Sequence, residues 1–181
     1  CWYSELKHVI ESKEFLELGK FIAEERKTKT IYPYPNEVFR VFNEVPLKDV
    51  RVFLSGQDPY STEYKNEPVA CGLSFAPRNK EFVPPSLRII YNNIKTTLYD
   101  DNLVFQDDLD LTTWTKQGVF LLNAGLTVEK GRAGSHLRHW EFFTKEVIKV
   151  LSKQTGIIFM LWGKEAQKVI PIIDTSTTNI L

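Results

Sequence analysis

Three short apolar runs, Val50 to Ser55, Val119 to Asn123 and Ile157 to Trp162, constrain this chain more than any other feature. Each is rich in Val, Ile, Leu and Phe, and glycine stands beside them at Gly56, Gly118, Gly156 and Gly163. Runs of that length without polar alternation are the pattern of strands buried on both faces, as in a parallel sheet. Such strands need helices to cover them, and the segments between the runs supply helical spacing. Leu87, Ile90, Tyr91, Ile94 and Leu98 follow it across Ser86 to Leu98, with Ser86 as the expected N-cap behind Pro84 and Pro85. Trp140, Phe143, Val147, Val150 and Leu151 do the same across Trp140 to Leu151. A short third helix is expected over Lys164 to Ile170, and a fourth strand opening at Ile180. Two leading helices are predicted from Trp2, Leu6, Val9 and Ile10, then Phe15, Leu18 and Ile22, ahead of the Tyr32-Pro33-Tyr34-Pro35 break. Strands alternating with helices predict an α/β fold: a single domain with a four-stranded, largely parallel central sheet flanked by helices. A length of 181 residues suits one core.

Lys and Arg number 23 against 23 Asp and Glu, which excludes a polycationic coat for nucleic acid and leaves room only for a local basic groove. Cys1 and Cys71 are the only cysteines, so neither a disulfide framework nor a thiolate zinc site is available and a reducing, intracellular setting is expected. The longest apolar stretch, Gly156 to Gly163, falls far short of the roughly 20 residues a spanning helix needs, and no charged-then-apolar leader opens the chain. A cytoplasmic, monomeric protein without a membrane partner is the expectation. The sequence starts at Cys1 without Met and stops in Asn179-Ile180-Leu181, a strand just beginning, so a fragment of a longer protein is expected.

The loops are unequal. Gln57 to Gly72 and Ala124 to His139 are long and follow strand C-terminal ends, where open parallel sheets place their ligands. The strand ends carry Gly56-Gln57-Asp58-Pro59-Tyr60, Asn123 and Gly163-Lys164. By residue type alone Asp58 starts a turn before Pro59 and Asn123 ends a strand. The convergence of three polar clusters at one rim argues instead for a site. No G-x-x-x-x-G-K-[ST], G-x-G-x-x-G or G-x-S-x-G occurs, which leaves both common phosphate cradles and the nucleophile elbow unsupported. His136, His139 and Glu141 lie close in sequence but form no H-E-x-x-H pattern, so no metal site is expected. Asp107, Asp108 and Asp110 read as a solvated turn with helix-capping potential.

Gly56-Gln57-Asp58-Pro59-Tyr60, Gly72-Leu73-Ser74-Phe75, Pro84-Pro85-Ser86-Leu87, Leu121-Leu122-Asn123 and Leu161-Trp162-Gly163, in that order and spacing, resemble family 1 uracil-DNA glycosylase. The likeness runs from Trp2 to Leu181. It implies a DNA-repair enzyme that flips deoxyuridine out of DNA and hydrolyses the N-glycosidic bond, leaving an abasic site without metal or other cofactor. Asp58 would then be the catalytic carboxylate that orients and deprotonates water and favours an oxocarbenium-like sugar. Asn123 would select the base, because its amide matches uracil N3-H and O4 while cytosine presents the opposite polarity. Tyr60 would stand against uracil C5, where thymine carries a methyl, and Phe75 would stack on the flipped base. Gln57 sits where the family supplies backbone donors to uracil O2.

The resemblance also assigns the DNA backbone to Pro84, Pro85 and Ser86, whose helix start can hold a phosphate, to Gly163 and Lys164, and to Ser135 beside His136. His136 has an alternative reading as a structural hydrogen-bonding residue. The partners implied are uracil-containing DNA and a DNA-mimicking protein inhibitor, and the location becomes nuclear or a virus-infected cell's if the source is not bacterial. This chain has Ser61 where the family commonly has His, with a longer loop after it, and Lys164 where Ser is common. The family's His-Pro-Ser-Pro-Leu-Ser segment would lie beyond Leu181. Its His stabilises charge on the departing uracil and its Leu fills the gap left by the flipped base. Two further readings remain open: a glycosylase-fold protein that binds DNA or serves replication without cleaving, and a flavodoxin-like small-ligand binder.

Overall fold

A strand whose consecutive side chains are all buried must be covered on both faces, because successive residues point to opposite sides. Phe53, Leu54, Phe120, Leu121 and Leu122 are all buried, so the central strands are sandwiched. The computed structural model describes residues 1–98, 109–176 and 178–181, with Leu98 by its backbone alone. It opens with α1 (Trp2–Ile10), α2 (Lys13–Thr28) and β1 (Ile31–Tyr32), followed by α3 (Arg40–Glu44) and β2 (Val52–Gly56). A small hairpin of β3 (Glu63–Tyr64) and β4 (Glu67–Pro68) precedes α4 (Pro85–Leu98), α5 (Thr112–Lys116) and β5 (Val119–Asn123). The remainder holds β6 (Val128–Glu129), α6 (Leu137–Ser152), β7 (Ile158–Met160), α7 (Gly163–Gln167) and β8 (Asn179–Ile180).

The main sheet has the order β5-β2-β7-β8, every pair parallel. The four predicted strands are therefore all present. In register, Phe120, Phe53 and Phe159 form one row, with the rings of Phe53 and Phe159 5.3 Å apart. Trp2 stacks on Phe120 at 4.7 Å and its indole N–H donates to Val45 O at 2.8 Å, which fixes α1 against the sheet by packing and by a satisfied polar edge. Glu11 ends the first helix and Ser12 caps the second, its Oγ accepting from Phe15 N at 3.1 Å.

Three expectations need correction. The helix predicted behind the two prolines starts at Pro85, and the Arg88 N–H donates to Pro84 O at 3.0 Å, so Pro84 holds the cap position and Ser86 lies in the first turn. Proline at the first helical position costs no hydrogen bond, since that N–H has no intrahelical partner. α6 begins at Leu137 rather than Trp140, which shortens the second loop. The third helix is shorter than predicted and continues as a separate 3-10 turn, Ile170–Ile172. Asp107 and Asp108 lie outside the described residues, while Asp110 accepts from Thr112 N at 3.1 Å at the start of α5.

The sheet order locates the functional rim. From β2 the chain moves to β5 on one side and then crosses back to β7 on the other. Connections that diverge from adjacent strands leave a crevice beyond their carboxyl ends, and ligands of open α/β sheets sit there. Among the described residues no helix is long and apolar enough to cross a membrane.

Candidate active site

β2 and β5 run side by side in a register that ends on the pair Gly56 and Asn123. Beyond it, Ala124 N–H donates to Gly56 O and Gly125 N–H to Gln57 O, each at 2.9 Å, so the ladder carries both chains rigidly into the crevice. Asn123 is only 8% exposed, and among the described residues no side-chain hydrogen bond engages its amide, whose tip opens on the cleft. It lines a cleft of about 760 Å³ together with Gln57, Phe75, Trp162, Gly163 and Lys164. An amide facing a cleft with no side-chain hydrogen bond of its own offers one donor set and one acceptor to a ligand. Gly56 makes room for it: a Cβ there would lie 2.2 Å from Asn123 Oδ1 and 2.7 Å from Ser74 Cβ.

Asp58 is half-buried on the loop after β2. Its Oδ2 accepts from Gly134 N at 2.6 Å and its Oδ1 from Gln57 Nε2 at 2.7 Å. The two donors differ in mobility. Gly134 is backbone, on a loop tied down again where Gly131 N–H donates to Ser61 O at 2.8 Å, whereas Gln57 is an exposed side chain that can swing away. One carboxylate oxygen is thus fixed, and the other is covered by a displaceable group that a water can replace. Gly134 has φ +79°, a conformation suited to glycine.

Tyr60 packs against Tyr32, Ala70 and Val128. Its hydroxyl donates to Phe75 O at 3.0 Å and lies 2.7 Å from Ser86 Oγ. Burial pushes its pKa up to about 12, so the ring stays a neutral phenol throughout the physiological range. Phe75, also at positive φ, is half-buried with its ring 5.8 Å from that of Trp162 across the cleft. It is held by its neighbour Ser74, whose N–H donates to Leu121 O at 3.0 Å.

The residues expected at the DNA backbone divide. Gly163 and Lys164 line the cleft and are exposed, Gly163 at φ +86°. Pro84, Pro85 and Ser86 stand behind Tyr60, outside the cleft lining, joined to it by the Ser86 hydroxyl. Ser135 Oγ accepts from Glu129 N at 2.9 Å, which leaves its own O–H proton uncommitted. His136 is structural: it is 2% exposed, and its Nδ1 meets Thr127 Oγ1 at 2.8 Å, which in turn accepts from the Trp140 indole at 2.7 Å. Burial lowers its pKa, with Glu25 opposing. His139 stacks on Phe21 at 3.9 Å, the ring whose edge also meets His136 at 5.2 Å, while Glu141 turns away to pair with Lys145 at 2.7 Å, so the three do not converge as a ligand set.

Sequence reasoning missed Gly134 as a ligand of Asp58, Gly56 as the space for Asn123, and the Tyr60–Ser86 contact. Only Gly56, directly before the Asp58 motif, carried a readable signal. The β3–β4 hairpin was also unforeseen; its tip, Lys65-Asn66, has positive φ at both residues, the two-residue turn that fits strand twist, although lysine is a rare occupant.

The sequence matches the Uracil DNA glycosylase superfamily over residues 42–180. It is 41% identical to the uracil-DNA glycosylase of Lacticaseibacillus casei (strain BL23), covering 99% of this chain and 76% of that protein. The uracil-DNA glycosylase of Borreliella burgdorferi (strain ZS7) is 42% identical over 99% of this chain and 79% of its own length. The crystal structure of mimivirus uracil-DNA glycosylase superposes with a TM-score of 0.92 at 30% identity, over 99% of this chain and 66% of that one. A mimivirus UNG variant in complex with UGI gives the same TM-score, identity and share of this chain, with 67% of its own. With the matched span taking in β2, β5, β7 and the cleft at their ends, the chain belongs to the uracil-DNA glycosylase superfamily.

Proposed function

We propose that this protein excises uracil from DNA by base flipping and hydrolysis, with Asp58 as the catalytic carboxylate. The observation that carries this reading is the placement, at the ends of two adjacent paired strands, of Asn123, whose amide opens on the cleft, and of Asp58, a carboxylate with a displaceable cap on the loop just after β2. Asn123 accepts from uracil N3-H and donates to O4. Cytosine, with its polarity reversed at both positions, would leave buried groups unpaired. Phe75 stacks on the flipped base, and Tyr60 blocks the C5 methyl of thymine.

The bond between C1′ and N1 breaks, its electron pair leaving with uracil, and a water oxygen forms the new bond to C1′. Asp58 Oδ1, once Gln57 turns away, orients that water, takes its proton and stabilises the cationic sugar, while Gly134 holds Oδ2. The proton passes finally to the uracil anion or to solvent. The backbone amide region of Gln57 faces uracil O2. Lys164, Gly163, Ser135 and the Pro84-Pro85-Ser86 turn meet phosphates. Uracil-containing DNA is the substrate, and the exposed rim is the surface for a protein inhibitor of the kind bound to the mimivirus relative.

Uracil release from a single-stranded uracil oligonucleotide tests the reading. Asp58→Asn keeps the shape and removes the base, and it should lower release by about 10²–10⁴-fold while uracil-DNA binding persists. Release near the parent rate would overturn Asp58 as the catalytic group. Binding without any release by the parent would favour the non-cleaving reading.

A further inference from the structure

Tyr60 is anchored at its far end, and the proton count there has a direction. Its one O–H donates to the Phe75 carbonyl, which can only accept, at 3.0 Å. The contact of 2.7 Å with Ser86 must therefore run the other way, with Ser86 Oγ–H donating to Tyr60 Oη. Ser86 sits in the first turn of α4, a rigid element started by two prolines, and Phe75 is fixed through Ser74 to β5. The phenol is thus held between a helix start and the sheet, while its ring body packs on Tyr32, Ala70 and Val128.

We propose that Ser86 is a positioning residue for specificity: by anchoring the Tyr60 hydroxyl it holds the ring where it excludes a 5-methyl pyrimidine. This rests on the reading of Tyr60 as the barrier to thymine. A ring excludes a methyl group only if it cannot retreat by about 1 Å, and ring packing alone leaves sliding in its plane unopposed. Two hydrogen bonds at the hydroxyl oppose it. Phosphates at this turn are then met by the backbone amides of α4, since the Ser86 proton is engaged with Tyr60.

The test uses binding, so it does not depend on turnover. Oligonucleotides carrying 2′-fluoro-2′-deoxyuridine or 2′-fluorothymidine, whose fluorine disfavours the cationic sugar and prevents cleavage, are titrated against the parent, Ser86→Ala, Ser86→Thr and Tyr60→Phe. Loss of one hydrogen bond of ordinary strength should reduce the uracil-to-thymine affinity ratio by about three- to tenfold in Ser86→Ala, with Ser86→Thr restoring it. In the Tyr60→Phe background Ser86→Ala should change the ratio no further, because the acceptor is already gone. A Ser86 hydroxyl that only grips phosphate would weaken both ligands equally, and an unchanged ratio in Ser86→Ala overturns the proposal. A parent that binds the thymine ligand as well as the uracil ligand overturns the reading of Tyr60 instead, and a parent that binds neither overturns the uracil assignment.

Discussion

Replacing Gly56 by alanine should disable the base selection proposed for Asn123 while leaving the Asp58 carboxylate untouched. The added methyl falls 2.2 Å from Asn123 Oδ1, about 1 Å inside the closest ordinary C···O approach of about 3.3 Å, and 2.7 Å from Ser74 Cβ. Neither neighbour is the loose end of a long side chain. Ser74 is tied through its N–H to Leu121, and Asn123 ends a five-residue register with β2. The amide must therefore shift by about 1 Å or rotate, and hydrogen bonds of 2.7–3.2 Å do not survive such a displacement. Mispairing a buried polar group costs about 1–3 kcal/mol, so uracil release or uracil-DNA affinity should fall by roughly 5- to 150-fold. Stability moves less. Overpacking costs about 1–3 kcal/mol, offset by about 0.5–1 kcal/mol from removing a flexible glycine in a strand. A net loss of about 1–2 kcal/mol corresponds to a Tm drop of roughly 2–8 °C in a domain of this size. Differential scanning fluorimetry and a uracil-release or binding assay read the two effects apart. Adding Ser74→Gly removes one of the two collisions and should recover part of the Tm without recovering uracil recognition. If Gly56→Ala keeps both the parent Tm and parent uracil affinity, the close fit of Asn123 against β2 has no functional weight and the argument fails.

Tyr60→Ala should admit thymine, since the barrier is steric and thymine offers Asn123 the same N3-H and O4 as uracil; thymine release or binding by the variant and not the parent is the expected result, and none above background in a folded variant counts against Tyr60. Acidification should destabilise the fold through His136. Burial holds its folded pKa below the ordinary histidine value of about 6.5, so the unfolded chain binds the extra proton and stability is full above about pH 6.5 and declines as pH falls towards the folded pKa. Glu25, Glu129, Lys29 and His139 face the ring, and the Glu25 carboxylate at 3.8 Å moderates the effect without cancelling the burial. Urea midpoints between pH 7 and 5 should slope less in His136→Gln than in the parent, and equal slopes would refute the assignment.

The parallel sheet was legible because burial on both faces leaves an uninterrupted apolar run, and the rows of Phe53, Phe120 and Phe159 are that signature made physical. The helix starts were less legible. Ser86 has the side chain of a cap, but Pro85 takes the first helical position at no cost and leaves Ser86 inside the turn, free to reach Tyr60. The start of α6 at Leu137 was hidden because Arg138 and His139 interrupt the apolar residues ahead of Trp140, although Leu137, three residues before it, keeps the helical spacing. Among the candidate site residues, Gln57, Phe75 and Asn123 line the cleft, as strand ends and motif order led one to expect, while Asp58 sits on the loop after β2 outside that lining. Gly134 could not be expected, since it lies 76 positions along the chain from Asp58 and meets it through a backbone N–H that no side-chain pattern records.

That contact also bears on the departure at Ser61, a position where the resembled family commonly has histidine. A histidine beside the Asp58 carboxylate could hold water with its ring. Here Ser61 contributes its carbonyl to Gly131 N, and the same loop delivers Gly134 N–H to Asp58 Oδ2. The loop after β5 is therefore buttressed against the loop after β2 at two points, the backbone and the carboxylate. Asn123 on the first loop's strand and Asp58 on the second's are held in one frame by the ladder below them and by these bonds above. On the proposed roles of Asn123 and Asp58, selection and hydrolysis then depend on the same geometry. A base that fails to seat against Asn123 leaves the sugar misplaced relative to Asp58, so discrimination should appear in the rate of bond cleavage as well as in binding.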